Sequence, residues 1–580
     1  MVKKGPSDSF SVLADRIRRQ DVGAGTRVRT PFGSRRIYYA DLTATGRHLS
    51  FVEEWIARIR PYYANTHTEV SATGRLMTGL RESAREVIGA AVNAGDDDEV
   101  LFVGSGATAA INKLVGLLGL RRSDPPGSHR QLGRPVVFVG PYEHHSNELP
   151  WLESTAEVVE IGLDADGGID VGDLERQLRE HAERPIKIGS FSAASNVTGL
   201  LSDVPRIARV LHRAGALALF DYAAAAPYVP IDMHPHAHDE RIDALFISPH
   251  KFIGGPEASG VLVAHRGLFR MATPERPGGG TVDYVAGPCR VDVDYVCDLA
   301  EREEGGTPAI LGDIRAGLAF LVKEMLGPEQ ILAHETSMAT RAAQRLARHP
   351  AIDVLGPSGG NHLAIIPIVV EGLHHDLVST LLDDLFGIQT RSGCSCAGPY
   401  GHALLGIGAD VSGRFRALVR RGVQGIKPGW ARISIPHYAT EDDFEYLLSA
   451  IEFVASHGQE FVPLYRFGWR DGVWRHVEHP APDQGTPEMT LDSLLAMTGR
   501  PREAFAGEAP TESELASERA SYFSEARELV QRLRDRWRES PPVWNPPTGD
   551  ADVDDLAWFR FVDADPPDPV RNDAEGPLPD

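Results

Sequence analysis

Cysteine is scarce in this 580-residue chain: Cys289, Cys297, Cys394 and Cys396 are all of it. Four thiols make no disulfide framework, and no CxxC pair suggests a zinc ribbon, so any cysteine chemistry rests on individual thiols. Long hydrophobic runs are also missing. Stretches such as Val136–Val139 and Leu363–Val370 fall far short of the ~18 residues a membrane span needs. The opening Met-Val-Lys-Lys-Gly-Pro develops no apolar signal core, so the expectation is a cytoplasmic protein with no membrane partner. Positive charge is in deficit, with 59 Lys and Arg against 81 Asp and Glu, a formal net charge of −22. Nucleic acid is a poor partner for such a chain, because phosphates demand compensating cations.

What is present is globular: 42% apolar and 24% charged residues, with length for about three structural units. From about residue 100 to 265, β-rich runs alternate with amphipathic stretches. Candidate strands are Val100–Val103, Val136–Val139, Ala156–Ile161, Ile186–Phe191, Ala216–Phe220, Ala244–Ile247 and Gly260–Ala264. Thr108–Leu118, Val171–His181 and Val204–Arg213 read as helices between them. This alternation predicts a largely parallel sheet covered on both faces, with ligands beyond the carboxyl ends of the strands. Residues 310–460 read as a smaller α/β unit, and residues 1–60 as a segment packed on it. Residues 461–580 carry 24 acids against 13 bases, half of the net charge. In that extension Leu515–Arg538 predicts a helix, and the Pro- and Asp-rich chain from Ser540 onward predicts loose order.

The chemistry gathers at the predicted strand ends. Ser248-Pro249-His250-Lys251 follows Ala244–Ile247, which places a lysine on a tight loop over the cleft; taken alone, a surface lysine is the favoured reading, and its neighbours reverse that. Asp221 ends an apolar strand, where an acid is costly without a partner, although a helix cap would also explain it. Val103-Gly104-Ser105-Gly106-Ala107-Thr108 turns from a strand into a helix whose free N–H groups suit a phosphate. Glu143-His144-His145-Ser146-Asn147 offers a ring to stack or a metal ligand, but the metal reading lacks a third ligand at useful spacing. A lysine, a buried acid, a phosphate turn and a stacking ring are the set that pyridoxal 5′-phosphate (PLP) requires.

The order and wording of these segments resemble the class V aminotransferase superfamily, and within it the cysteine desulfurase/selenocysteine lyase group. The resemblance covers roughly residues 35 to 460. It is carried by Tyr39–Thr45, Phe102–Asn112, Glu143–Asn147, Ser195–Gly199, Asp221–Ala224, Ser248–Lys251, Gly305–Pro308, Arg391–Pro399 and Arg432. It implies an α/β PLP-dependent transferase fold (aspartate aminotransferase-like, fold type I). Residues 61–309 would form a large mixed-sheet PLP domain, followed by the small domain and the acidic extension.

By this resemblance Lys251 would hold PLP as a Schiff base, Asp221 would pair with the pyridinium and His144 would stack on the ring. Ala107, Thr108, Ser248 and His250 would bind phosphate. Thr307 would reach the phosphate of a neighbouring subunit, implying a homodimer with shared sites. Asn196 and Arg432 would grip the carboxylate of a small amino-acid substrate, with Arg391 nearby; taken alone, Arg432 could be a surface salt bridge. Arg391-Ser392-Gly393-Cys394-Ser395-Cys396-Ala397 stands where the group carries Arg-x-Gly-His-His-Cys-Ala. Cys396 thus takes the sulfur-accepting position, with an acceptor protein as a further partner. Small buried residues in a tight loop would be the plainer account of Cys394 and Cys396.

The chain departs from that pattern at several positions. Cys394 and Ser395 replace two histidines, and Ala224 stands where relatives place a glutamine. Thr68 replaces an arginine after His67, and Tyr222 replaces a small residue expected close to the cofactor. The implied activity is C–S or C–Se cleavage giving alanine and an enzyme persulfide. β-Elimination, epimerisation, transamination or a non-catalytic PLP-fold scaffold are the competing readings.

Overall fold

The computed structural model describes residues 10–66, 68, 70–121, 133–286, 292–479 and 510–564; Cys289, His67 and the last residues of the acidic tail lie outside them. Seven strands build the main sheet: β1 (Asp98–Val103), β2 (Val136–Val139), β3 (Glu157–Glu160), β4 (Lys187–Ser192), β5 (Leu217–Asp221), β6 (Ala244–Ile247) and β7 (Gly260–His265). Their order is β1-β7-β6-β5-β4-β2-β3. β7 runs antiparallel to both its neighbours, while the other pairs are parallel. The runs read from sequence are these strands to within two residues. Val136, Val137, Phe138 and Val139 are all buried, the continuous apolar run of a strand covered on both faces. Phe220 and Leu245 pack into one face of the core. Leu219 and Leu262 pack into the other, against Ile111 and Leu114.

A second sheet comprises β8 (Ile352–Val354), β9 (Ile365–Val370), β10 (Arg391–Gly393) and β11 (Trp430–Ser434). Its order is β8-β9-β11-β10, antiparallel throughout. The short strand Tyr38–Tyr39 pairs in parallel with Ile388–Gln389. That pairing ties the N-terminal segment to this sheet's neighbourhood and delivers Asp41 to its edge. The helix Ile310–Leu326, expected to open the small unit, instead lies in the large core, its Ala316 and Phe320 clustering with Ala84 and Ile88. No helix among the described residues is long and apolar enough to cross a membrane.

The C-terminal extension corrects one expectation. The helix Glu512–Glu539 forms, capped by Thr511 and Glu514 in a reciprocal box. Beyond Ser540, however, the described residues are not loose. Ala551–Leu556 is helical, and Asp563–Ala564 pairs with Tyr465–Phe467. Val553, Phe559 and Phe561 are 0%, 1% and 3% exposed. The physical reason is that a few spaced apolar anchors suffice: Phe559 sits 4.9 Å from Phe467 and 5.6 Å from Trp469, centroid to centroid. Averaged composition hid these anchors among prolines and aspartates. Phe559→Ala is expected to cost about 3–5 kcal/mol, the range for emptying a fully buried aromatic site. Chemical denaturation of the variant beside the parent protein measures it.

Candidate active site

The carboxyl ends of β2, β4, β5 and β6 and the turn after β1 meet over one cavity of about 240 Å³. Ala107, Thr108, His144, Asn196, Asp221, Ser248, His250, Lys251, Arg391, Cys396 and Arg432 all line it. Thr307 does not; it lies exposed before the helix Ile310–Leu326. A larger cavity, of about 360 Å³, lies beneath the helix Glu512–Glu539. Its Arg36 and Arg519 are already paired with Glu518 and Asp443 and it holds no lysine, histidine or cysteine, so the smaller cavity is the candidate site.

One wall is an anion cradle. The helix Gly106–Leu117 begins with no side-chain cap, so its first N–H groups face the cavity. The Ala107 N–H donates to Ser248 Oγ at 2.8 Å. Thr108 Oγ1 lies 2.7 Å from Ser146 Oγ. Gly106 has φ +56°, and a Cβ there would lie 2.7 Å from Ser248 Oγ. Glycine is therefore required by both backbone and space. The turn's amides and hydroxyls, at the positive end of a helix, suit a phosphate.

The facing wall carries the titratable groups. Asp221 is 4% exposed, and burial raises its carboxyl above the usual range, with the Ala223 N–H (2.8 Å to Oδ1) and Lys251 opposing. Loss of water pushes the Lys251 amine down to about 8, with Asp221 opposing and Arg432 and Arg391 reinforcing the fall. An appreciable fraction of that amine is therefore uncharged near neutral pH, the form that attacks a carbonyl. His144 caps the helix His145–Leu152, its Nδ1 accepting the Ser146 N–H at 3.1 Å. Burial, then Lys251, holds its imidazole down at about 4, so the ring is neutral. His250 is held at about 4 by the same two causes. The His250 carbonyl accepts from the Gly46 N–H at 2.8 Å and the Thr45 hydroxyl at 3.1 Å, which fixes the lysine turn.

The third wall comes from the second sheet. Arg391 and Arg432 are register partners on β10 and β11, and Asp41 lies between them. Its carboxylate is 2.9 Å from Arg432 Nη2 and 3.7 Å from Arg391 Nη1. Arg432 is 3% exposed, which removes the surface salt-bridge alternative. Its Nη1 donates to the Asn196 carbonyl at 3.0 Å, while its Nε has no partner. Asn196 Nδ2 donates to the Ser395 carbonyl at 2.7 Å, and its Oδ1 has no partner either. Two buried polar atoms without partners on one cavity wall call for a ligand.

Beside them Cys394–Ala397 makes a tight turn, closed by the Ala397 N–H to the Cys394 carbonyl at 3.1 Å. Its central residues Ser395 and Cys396 have φ +51° and +57°. Non-glycine residues there cost roughly 1–3 kcal/mol each, and such strain collects at functional sites. Cys394 and Cys396 are both exposed, so the small-buried-residue account fits neither thiol. Of the two thiols, only Cys396 lines the cavity.

One expectation from sequence changes. Tyr222 is not near the cofactor space. Side chains alternate along β5, and with Asp221 facing the cavity Tyr222 faces the opposite core with Phe220. The acid Glu143, passed over in sequence, is fully engaged below His144. Ser192 donates to it from both N–H (2.9 Å) and hydroxyl (2.6 Å), and Asn147 adds a third bond at 2.7 Å. Burial still pushes its carboxyl up to about 7. Asp41 and His145 were also missed, since their partners lie hundreds of residues away. The one metal-like group among the described residues, His374-His375-Asp376, has ring nitrogens occupied by Gly425, Lys427 and the Asp376 N–H and carboxylate. It caps the helix His375–Phe386.

The fold is that of a fold type I PLP-dependent transferase, and the chain belongs to the class V aminotransferase family, whose model matches residues 38–447. A probable cysteine desulfurase of Halalkalibacterium halodurans is 31% identical over 372 residues, which is 63% of this chain and 85% of that protein. Another, of Streptomyces coelicolor, is 27% identical across 72% of this chain and 92% of its own length. Among solved structures, a cysteine desulfurase of Escherichia coli superposes with a TM-score of 0.58 at 25% identity, covering 76% of this chain and 97% of that one. The apo cysteine desulfurase of Thermococcus onnurineus, with a TM-score of 0.59 at 24% identity over 72% of this chain and 95% of that one, shares the fold.

Proposed function

We propose that this enzyme binds PLP and removes sulfur from cysteine, or selenium from selenocysteine, leaving alanine. The observation that carries this is the meeting of Lys251, Asp221 and the exposed thiol of Cys396 on one cavity with two unpartnered polar atoms. The residues present fit the cofactor. The uncapped helix and Ser248 suit its phosphate, Asp221 its ring nitrogen, His144 its face, and Lys251 its covalent hold. When bound, PLP supplies an electron sink for charge developed on an amino acid.

The chain's own residues do the rest. Arg432, through its unpartnered Nε, receives the substrate carboxylate, a task suited to a planar guanidinium, and Asn196 Nδ2 joins it on leaving the Ser395 carbonyl. Receiving it draws Arg432 from its pairing with Asp41. Lys251, partly uncharged near neutral pH, takes and returns protons at the substrate carbons. Cys396 Sγ attacks the substrate sulfur. The new S–S bond forms as the carbon–sulfur bond breaks, and the carbon gains a proton to complete alanine. The test is to incubate the purified protein with cysteine, selenocysteine and other amino acids and assay alanine, pyruvate and sulfide. Alanine with sulfane sulfur is expected from cysteine; pyruvate in its place would favour β-elimination. That second reading draws on Ala224, which lines the cavity with a methyl group where a hydrogen-bonding side chain is expected.

Thr307 is proposed to serve the phosphate of a second copy. Exposed Tyr62, Tyr63, Tyr284 and Val285 supply apolar surface that a partner subunit would cover. Sedimentation is expected to show a dimer that PLP stabilises, and a fully active monomer would contradict it. Cytoplasmic residence suits the three exposed free thiols among the described residues, Cys297, Cys394 and Cys396, which stay reduced there. An acceptor protein is the natural recipient of sulfur from a surface persulfide.

A further inference from the structure

The adjacent histidines His144 and His145 face different ways. His144 lines the cavity; His145 does not. Its main-chain N–H donates to the Cys396 carbonyl at 2.9 Å, and its Nε2 accepts the Gly398 N–H at 3.3 Å. With the Asn196 bond to the Ser395 carbonyl, three bonds from the large domain hold consecutive parts of residues 395–398. This segment leaves β10 of the other sheet and carries both positive-φ residues. A strained turn persists only where its surroundings over-determine it, and these bonds are that determination. The main-chain bond is open to any residue at position 145. The ring bond is not, because it needs an acceptor reaching the Gly398 amide, which makes no other bond among the described residues.

We propose that His145 is the positioning residue for Cys396: its ring holds the Gly398 amide and so keeps the thiol turned into the cavity. Serving as acceptor requires a neutral imidazole with its proton on Nδ1. Glutamine can place a carbonyl oxygen at similar reach, whereas alanine cannot. That Cys396 takes sulfur rests on the proposed function; the clamp itself does not.

The test compares full-length, cofactor-loaded parent, His145→Ala and His145→Gln proteins by hydrogen exchange, without substrate. Exchange at the Gly398 amide is expected to rise about fivefold in His145→Ala, the loss of one ordinary hydrogen bond, and to recover in His145→Gln. Peptides over Ala244–Lys251 should exchange as in the parent. Unchanged exchange at Gly398 in His145→Ala would overturn the clamp. With cysteine, His145→Ala should show an unaltered KM and a lowered kcat, again restored by glutamine. Faster exchange with an unaltered kcat would overturn the positioning role. Faster exchange where the parent itself forms no alanine would leave the clamp standing and remove the proposed function.

Discussion

Lys251→Ala is expected to lose the yellow absorbance of covalently held cofactor and, with it, turnover by a factor on the order of 10²–10⁴. No other lysine lines the cavity. The two lysines that are most deeply buried are committed elsewhere, Lys113 to Glu303 and Lys323 to the Val229 carbonyl. Burial lowers the Lys323 amine to about 8 as well, so what sets Lys251 apart is its place on the cavity with Asp221. The anion cradle at Gly106–Thr108 remains in the variant, so PLP should still bind, but dialyse away. The check is borohydride reduction followed by peptide mass analysis, expected to find PLP on Lys251 in the parent and on no peptide in the variant. Covalently bound PLP in Lys251→Ala would remove this lysine from its role.

The strands of the main sheet were legible because both faces are covered, so each reads as an unbroken apolar run such as Val136–Val139. The family resemblance named most of the candidate site residues, and a related local signal marked a few: a polar residue directly after such a run, as at Asp221 or Ser248, is costly unless it caps a helix or meets a partner. What stayed hidden depends on distance or direction. Asp41 meets Arg432 across 391 positions, and His145 meets Gly398 across 253; nothing local marks either pair. Tyr222 was misplaced although the period of a strand could have placed it, since a cavity-facing Asp221 sends its neighbour to the other side. The folded tail was missed because four anchors, Val553, Leu556, Phe559 and Phe561, are outvoted in composition by the acids and prolines around them.

Cys396→Ser is expected to separate sulfur transfer from the other PLP chemistry. The substitution leaves Lys251, Asp221 and the arginine pair untouched, so the variant should bind cofactor and change its absorbance with cysteine as the parent does. A hydroxyl, however, is a poor acceptor for sulfur at neutral pH, and no other thiol lines the cavity. Cys394→Ser should do less harm, because Cys394 lies outside the cavity lining. Its exposed thiol remains suited to take the persulfide onward by exchange. An elimination enzyme behaves differently, because its leaving group departs without a protein thiol. The most direct measurement is therefore the product formed from cysteine by Cys396→Ser beside the parent. The account predicts alanine from the parent and almost none from the variant; alanine at the parent's rate from the variant would contradict it.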